Sequence, residues 1–247
     1  SQAIHRCTGD IIFLCDQDDI WHPEKISHMI IAFEKSANTL LIFSNGNLVN
    51  STAQPLNCSL WEALPTFPVS NPTFHNLLNN DWITGAACAF RKDLVKYALP
   101  FPPYWVHDAW LGLIASAYGK VQSIPDMLIA YRQHENNQIG LKPPTLKQKL
   151  KKAMRLMRTP HIDTPMKYQP LQHRLPIEHP AQKILVGKLR HLENRQLPIR
   201  QRGLGILKEI FNGGYWHYAK GGESIIRDIG LFIYQIMYDI RPTSDSK

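Results

Sequence analysis

Hydrophobic residues fall in short runs along the first half of the chain, and these runs predict strands that alternate with helices. Residues 11–15 form an unbroken apolar run, which is typical of a strand buried on both faces of a sheet. Apolar positions spaced by three and four residues predict an amphipathic helix over residues 26–37. Residues 40–44 predict a second buried strand, which residues 48–49 extend.

The following stretch predicts loops and short elements before another helix. Residues 50–72 contain four prolines and little periodicity, so we expect a long loop, a kind of segment that often serves as a lid or a substrate wall. Short helices are expected over residues 71–78 and from residue 91, and a longer helix over residues 109–118. Residues 121–124 and 127–131 predict two paired strands joined by Pro125 and Asp126.

From about residue 141 the pattern becomes helical. Helices are predicted over residues 145–158, 180–194, 197–212 and 223–240, with a loose, proline-rich stretch over residues 159–179. The last helix is apolar on more than one face but too short and too interrupted to span a bilayer. It could lie on a membrane surface or seal the domain. We therefore expect an α/β domain over residues 1–140 and a helical extension over residues 141–247.

Charge is divided between the same two parts. Residues 1–140 carry 8 Lys and Arg against 12 Asp and Glu, a net charge of −4, whereas residues 141–247 carry 20 against 8, a net charge of +12. The basic half either contacts anionic lipid headgroups or an anionic glycolipid, or simply presents solvated helix faces. Nucleic-acid binding is not expected, because the basic residues are spread over several helices without a reading motif.

The four cysteines are expected to be buried free thiols. They show no C-x-x-C spacing, and Cys15 and Cys88 lie in apolar runs, so neither a zinc site nor a disulfide framework is indicated. The first residues lack the character of a secretion signal. Together these features predict a cytoplasmic protein, peripheral at the inner face of the plasma membrane through its basic helices.

Three carboxylates follow the first predicted strand within four positions. Asp16, Asp18 and Asp19 end the apolar run, and Pro23 stands where a helix would begin. Asp16 and Asp18 would project to the same side of an extended segment. Two hard oxygen donors so placed suit a hydrated divalent cation that also holds a diphosphate. An isolated D-x-D more often forms a solvated loop with an Asx turn, but the strand before it and the Trp-x-Pro after it favour a site.

A second candidate carboxylate stands at the start of the helix expected over residues 109–118. Asp108 lies between His107 and Trp110. Helix capping would by itself explain an Asp at this position, whereas the crowding of aromatic residues around one carboxylate is less easily explained by capping.

Two other stretches carry candidate binding residues. Tyr131-Arg132-Gln133-His134 is a polar cluster at the end of the last predicted strand. Gly85 and Ala86 open a run of small residues, which admits either a ligand or a closely packed helix.

Taken in order, residues 15–23, His107-Asp108-Ala109-Trp110 and Tyr131-Arg132-Gln133-His134 resemble motifs of the family 2 glycosyltransferases of the GT-A fold, particularly the bacterial rhamnosyltransferase-like members. Residues 213–228 look like the helical tail of the same group. The resemblance implies a mixed α/β sheet flanked by helices, with a helical C-terminal extension. It also implies inverting transfer of a sugar, such as rhamnose, from a nucleotide-diphosphate donor to a glycan or lipid-linked acceptor.

The resemblance also implies roles for individual residues. Asp108 would be the catalytic base, and Asp16, Asp18 and His134 would hold Mg²⁺ or Mn²⁺. The residues expected to line the donor and acceptor sites are Asp16, Gly85, Ala86, His107, Trp110 and Arg132.

The start of the chain departs from the family pattern. Family members place a nucleotide-binding strand–helix–strand unit before the D-x-D strand, and only ten residues precede Ile11, so this unit is expected to be missing. A non-catalytic remnant that binds a partner or a membrane therefore stays open. A haloacid-dehalogenase-type phosphatase also opens with an apolar strand and D-x-D, but it needs a further carboxylate pair, and no adjacent acidic pair follows Asp19.

Overall fold

The computed structural model describes residues 2–133 and 164–239. The chain divides into two compact units, residues 1–141 and residues 142–247, and each unit is described by itself. Two sequence predictions, the helix over residues 145–158 and the ligand role of His134, lie outside the described residues.

A mixed sheet forms the centre of the first unit. Its strands within the described residues are β1 Ile11–Phe13, β2 Ile20–Trp21, β3 Thr39–Val49, β4 Pro55–Ser59, β5 Cys88–Arg91 and β6 Lys120–Arg132. They are ordered β1-β5-β3-β6-β2, and β4 also pairs with β3. Strands β3 and β6 are parallel, whereas the other pairs are antiparallel. Strands β1, β3 and β6 therefore run in one direction and end at the same edge of the sheet.

Helices cover both faces of this sheet. The α-helices of the first unit, within its described residues, are α1 Gln2–Arg6, α2 Lys25–Glu34, α3 Phe74–Asn79, α4 Val95–Ala98 and α5 His107–Tyr118. On one face, Met29 and Phe33 of α2 pack against Ile42 of β3. Leu41 and Phe43 alternate with Ile42 and so point to the other face, and α5 packs against β3 and β6. The predicted mixed α/β sheet flanked by helices is confirmed.

Strand β1 differs from its prediction. The sequence predicts a five-residue interior strand, but β1 has three residues, lies at an edge of the described sheet, and buries only Ile12 fully. A continuous apolar run cannot distinguish an edge strand from a central one, because the partners of a strand come from distant segments.

Two further predictions about strands are wrong. Residues 120–132 form the single strand β6 rather than a pair, because Pro125 and Asp126 are accommodated where the register with β3 shifts after Ser44. A bulge tolerates a proline that cannot donate to the ladder. The long loop expected over residues 50–72 contains β4, which a turn anchored by the Asn50 side chain connects to β3.

The cysteines are free in the structure, as the sequence predicts. Cys88 is fully buried, whereas Cys15 is exposed and corrects the expectation that both lie in the core.

The second unit is helical within its described residues. Its helices are α6 Pro165–Arg174, α7 Pro180–Arg195, α8 Ile199–Phe211, α9 Gly214–Tyr218 and α10 Gly222–Asp239. Helices α7, α8 and α10 match their predictions closely, whereas α6 falls in the stretch expected to be loose. None of the helices in residues 2–133 and 164–239 is both long enough and apolar enough to cross a bilayer.

A buried network of polar side chains joins the helices of the second unit. Two N–H groups of Arg195 donate to the two oxygens of Asp228, one of them at 3.0 Å, and the Tyr215 hydroxyl donates to the same carboxylate at 2.8 Å. His191 Nδ1 lies 2.5 Å from Glu209 Oε2. Arg195 Nη1 faces His191 Nε2 at 3.4 Å, so Nε2 is the accepting nitrogen and Nδ1 donates to the Glu209 carboxylate. Burial lowers the pKa of His191. Charges at this depth are tolerated because each one has partners.

We expect Arg195→Leu to lower the free energy of unfolding by about 3–5 kcal/mol, because removing one partner of a buried ion pair leaves the other charge uncompensated. Urea unfolding followed by circular dichroism measures this change. Arg190→Leu on the exposed side of α7 is the matched control and should change little. Arg195→Leu with Asp228→Leu should recover much of the loss. A stability equal to wild type for Arg195→Leu alone would contradict this account.

Candidate active site

The carboxylates that follow β1 lie in irregular backbone rather than in a strand. Residues 14–19 leave the strand, with a turn at residues 17–18. Asp16 is exposed, whereas Asp18 and Asp19 are partly buried. The alternation of side chains in an extended strand therefore does not apply to Asp16 and Asp18, and the prediction that both project to the same side of an extended segment is wrong. The segment still lies at the edge of the sheet where β1 ends.

Arg132, at the end of β6, holds this segment in place. Its backbone N–H donates to Asp19 Oδ1 at 2.9 Å, and its Nε–H donates to the Asp18 carbonyl oxygen at 2.8 Å. Its Nη1 donates to the Ser51 carbonyl oxygen at 2.6 Å. One residue thus ties the loops after β1 and β3 to β6. These contacts give Arg132 a positioning role, and its direct contact with a donor stays a prediction.

Asp19 is the most perturbed carboxylate of this segment. Burial raises its pKa to about 6, the Arg132 backbone N–H acts in the opposite direction, and the charges of Asp18 and Asp16 add to the increase. Its Oδ2 is buried and has no hydrogen-bond partner among the described residues. An ionised carboxylate with an unpaired buried oxygen is costly, so this atom is a natural ligand for a cation.

Lys25, the first residue of α2, lies beneath the same segment. Its side chain is fully buried, its Nζ donates to the Ala86 carbonyl oxygen at 2.5 Å, and it lies 4.1 Å from the centre of the Trp21 ring. Burial lowers the pKa of Lys25 to about 8. Lys25 is not among the residues predicted for the site, although the spacing of Lys25, Met29 and Phe33 by four residues places it on the buried face of α2.

Asp108 lies in the first turn of α5, and the residue at the N-cap is Val106. The Gly85 N–H donates to Asp108 Oδ2 at 2.9 Å, and the Ala109 N–H donates to Oδ1 at 2.8 Å. Gly85 opens a tight turn, Gly85–Ala87, in which a Cβ would come within 3.0 Å of His107 Nε2 and 3.3 Å of Asp108 Oδ2. The absence of a Cβ atom at Gly85 therefore lets the turn approach the Asp108 carboxylate.

Tyr131 connects the two groups of carboxylates electrostatically. Burial raises the pKa of its phenol to about 12, and the negative charges of Asp19, Asp16, Asp18 and Asp108 add to the increase in that order. Cys88, which begins β5, is buried near both Asp108 and Asp16, and its pKa is also raised, mainly by burial. Hydrogen bonds join the same elements, since the Leu14 N–H after β1 donates to the Cys88 carbonyl oxygen at 3.2 Å and the Gly85 N–H before β5 donates to Asp108. With the Arg132 N–H bonded to Asp19, the end of β1, the start of β5, the start of α5 and the end of β6 meet around one acidic region.

Two predicted binding residues have surroundings that the sequence did not indicate. The Trp110 side chain is fully buried, and its Nε1–H donates to the Ala98 carbonyl oxygen at 2.8 Å. It packs with Trp105, at 5.8 Å between ring centres, so it cannot form the wall of an acceptor site as predicted. His107 is exposed beside Asp108 and lies 6.3 Å from the Phe101 ring, between centres.

The evidence for a metal site is the presence of several carboxylate oxygens in the segment after β1. Within residues 2–133 and 164–239, no three His, Cys, Asp or Glu side chains are arranged to hold a metal ion. The oxygens of Asp16, Asp18 and Asp19 are the hard donors that Mg²⁺ and Mn²⁺ prefer, and such ions also accept phosphate oxygens of a substrate as ligands. The predicted role of Mg²⁺ or Mn²⁺ therefore stays a prediction.

We expect Asp19→Asn to stabilise the protein near neutral pH. The pKa of Asp19 is raised from 3.8 to about 6 in the folded protein, so the folded state holds this proton more tightly than the unfolded chain. The resulting stabilisation is complete below pH 3.8 and is lost as the pH rises through about 6. Asparagine does not ionise and keeps an oxygen for the Arg132 N–H.

The measurement is Tm from about pH 4 to about pH 7 for both proteins. The variant should match wild type at the acidic end and exceed it at the neutral end. Asp10→Asn, an exposed carboxylate before β1, is the control. A variant that melts lower than wild type at neutral pH would show that the Asp19 charge is stabilising.

Comparisons with known proteins show a structural likeness alone. No protein-family model matches the sequence. No curated protein matches it either. Among solved structures, S. aureus TarS 1–349 in complex with UDP-GlcNAc aligns with 96% of this chain and 70% of its own, at 12% identity and a TM-score of 0.44. A second structure of S. aureus TarS 1–349 aligns with 96% of this chain and 69% of its own, at 12% identity and a TM-score of 0.42.

Proposed function

We propose that this chain is a metal-dependent, inverting glycosyltransferase. It moves a sugar from a nucleotide-diphosphate donor to a hydroxyl of a cell-surface polysaccharide or a lipid-linked acceptor. The observation that carries the proposal is the position of Asp108, which two backbone N–H groups hold at the same sheet edge as Asp16, Asp18 and Asp19. A base and a cluster of hard oxygen donors in one region suit attack at an anomeric carbon with departure of a diphosphate.

Asp108 is the catalytic base in this proposal. The acceptor oxygen forms a bond to the anomeric carbon while the bond from that carbon to the diphosphate breaks, and the electron pair of the broken bond leaves with the diphosphate. The Asp108 carboxylate takes the proton that the acceptor hydroxyl loses. Each of its oxygens accepts one backbone N–H, so the carboxylate is oriented while lone pairs stay available for the proton.

The acidic segment after β1 serves the donor. Asp16 and Asp18, with His134 from the motif after β6, would hold the cation, and the unpaired Oδ2 of Asp19 offers a further oxygen. A bound Mg²⁺ or Mn²⁺ supplies charge stabilisation to the departing diphosphate. Arg132 keeps the segment at the end of β6. Lys25 holds the carbonyl of Ala86, in the same turn whose first N–H orients Asp108.

The finer points of the proposal rest on the resemblance of the motifs. The rhamnosyltransferase-like members support rhamnose as the transferred sugar, and one base opposite the leaving group supports inversion. Calorimetric titration with dTDP-rhamnose, UDP-GlcNAc and GDP-mannose in the presence of Mn²⁺ tests which donor binds. Release of the nucleoside diphosphate tests turnover. Binding of a donor without release, in the presence of candidate acceptors, would favour the non-catalytic alternative.

We expect Asp18→Asn to abolish divalent-dependent donor binding, because an amide is a poorer ligand for a hard cation than a carboxylate. The Asp18 backbone carbonyl that accepts from Arg132 is unchanged by this substitution, so the segment should keep its position. Calorimetry with and without Mn²⁺ is the measurement. Asp10→Asn is the control. Undiminished Mn²⁺-dependent binding would remove Asp18 from the metal site.

We expect Asp108→Asn to lower the rate of nucleoside diphosphate release by about 10²–10⁴, because an amide cannot accept the acceptor proton. The amide has one oxygen for two N–H donors, so the Gly85 or the Ala109 hydrogen bond is lost. A loss of about 1 kcal/mol of stability is expected in addition. Donor affinity should be preserved.

The control for this variant uses two other carboxylates of the first unit. Asp81 is exposed, and Asp126 lies 3.0 Å from His28 on α2. Asp81→Asn and Asp126→Asn should therefore release diphosphate at the wild-type rate. Near-normal turnover by Asp108→Asn, with a loss in either control, would assign the base elsewhere.

A further inference from the structure

We propose that helix α8 docks on an anionic lipid surface through one exposed face. This inference concerns the second unit and does not rest on the proposed transferase activity. It names one surface among the basic residues 141–247 that would contact the lipid. The sequence instead indicated the apolar last helix, α10, as the element that lies on a membrane.

The α8 face, defined as Arg200, Leu204, Leu207, Lys208 and Phe211, combines apolar and basic side chains. Each residue of this face lies three or four positions from another member of the face, so all five share one side of the helix. Leu204, Leu207 and Phe211 are exposed to 72%, 50% and 85%. Arg200 and Lys208 are also exposed. The opposite side of α8 is buried through Gly205, Ile206 and Glu209.

The folding of the second unit does not require this face to be apolar. A helix ordinarily buries its apolar stripe and exposes its charges, whereas α8 buries its sole acidic residue, Glu209, against His191. The exposed side of α8 consequently carries positive charge and no negative charge. Leu204 and Phe211 are free to enter the boundary between headgroups and acyl chains, where an amphipathic helix lies with its basic residues at the phosphate level.

Charge favours a lipid surface over a second copy of the chain. Two copies of the α8 face would bring Arg200 and Lys208 of one against those of the other, and like charges at an interface are repulsive. Anionic headgroups complement both residues. Helix α10 carries another exposed apolar stripe through Ile226, Ile233 and Met237. Its basic residue, Arg227, lies 3.6 Å from the buried Asp228 carboxylate, and the exposed Glu223 lies one turn before Ile226, so the proposal concerns α8.

The test is co-sedimentation of the full chain with vesicles of phosphatidylglycerol and phosphatidylcholine in equal parts, beside vesicles of phosphatidylcholine alone. Binding should require phosphatidylglycerol and should weaken as salt is added, because salt screens exposed charges. Leu204→Gln with Phe211→Gln should lower the partition coefficient by at least about tenfold, since both apolar side chains lose their burial in the interface. Ile177→Gln, at a residue that is 92% exposed outside the α8 face, is the matched control and should bind like wild type.

A second pair of variants isolates the charges. Arg200→Gln with Lys208→Gln should weaken binding by about fivefold for each charge removed. Lys183→Gln with Arg190→Gln removes the same charge from exposed positions of α7 and should cost less. Equal losses for the two pairs would overturn the proposal in favour of general attraction by a basic protein. Absence of binding at low salt would also overturn it. If the chain self-associates in the absence of lipid and the variant with Leu204→Gln and Phe211→Gln does not, the occupant of the α8 face is instead a second copy of the chain.

Discussion

The parallel pairing of β3 with β6 is the interaction on which the first unit depends. It runs from Thr39 opposite Lys120 to Val49 opposite Arg132, and helices cover both of its faces. Because the pairing continues to the end of β6, it carries Arg132 to the edge where the loop after β1 needs hydrogen-bond donors. A shift of register by one residue would turn every side chain of the strand to the other face. The order of the acidic segment is thus a consequence of strand pairing.

Unfavourable electrostatic interactions are concentrated in the acidic segment after β1, where the site is proposed. Three carboxylates lie within four positions, and the raised pKa of Asp19 together with its unpaired oxygen shows that the surrounding protein does not fully compensate them. The nearest buried cation, Lys25, is itself desolvated and donates to Ala86 rather than to a carboxylate. A divalent cation bound by the segment would offset this repulsion. The uncompensated negative charge and the proposed metal site therefore coincide in the acidic segment after β1.

The second unit distributes polarity in an unusual way. Its interior holds ionised side chains that satisfy one another, with Arg195 paired to Asp228 and Glu209 held by His191 and Asn194. Such a network depends on every member having a partner, since one unpaired charge at this depth is strongly destabilising. Apolar side chains of α8 are meanwhile exposed in a continuous stripe, so a surface that packing does not need is available for binding.

The sequence by itself determined the features that depend on neighbouring residues. The periodicity of α2, α5 and α7, the buried run of β3, and the acidic and aromatic motifs are visible locally, because propensity and spacing act over one or two turns of chain. Tertiary structure decided the rest. The edge position of β1, the bulge that admits Pro125, and the burial of Trp110 depend on which distant segments pair. The contact between Asp108 and the Gly85 N–H spans 23 residues of sequence, and a local pattern carries no information about such a contact.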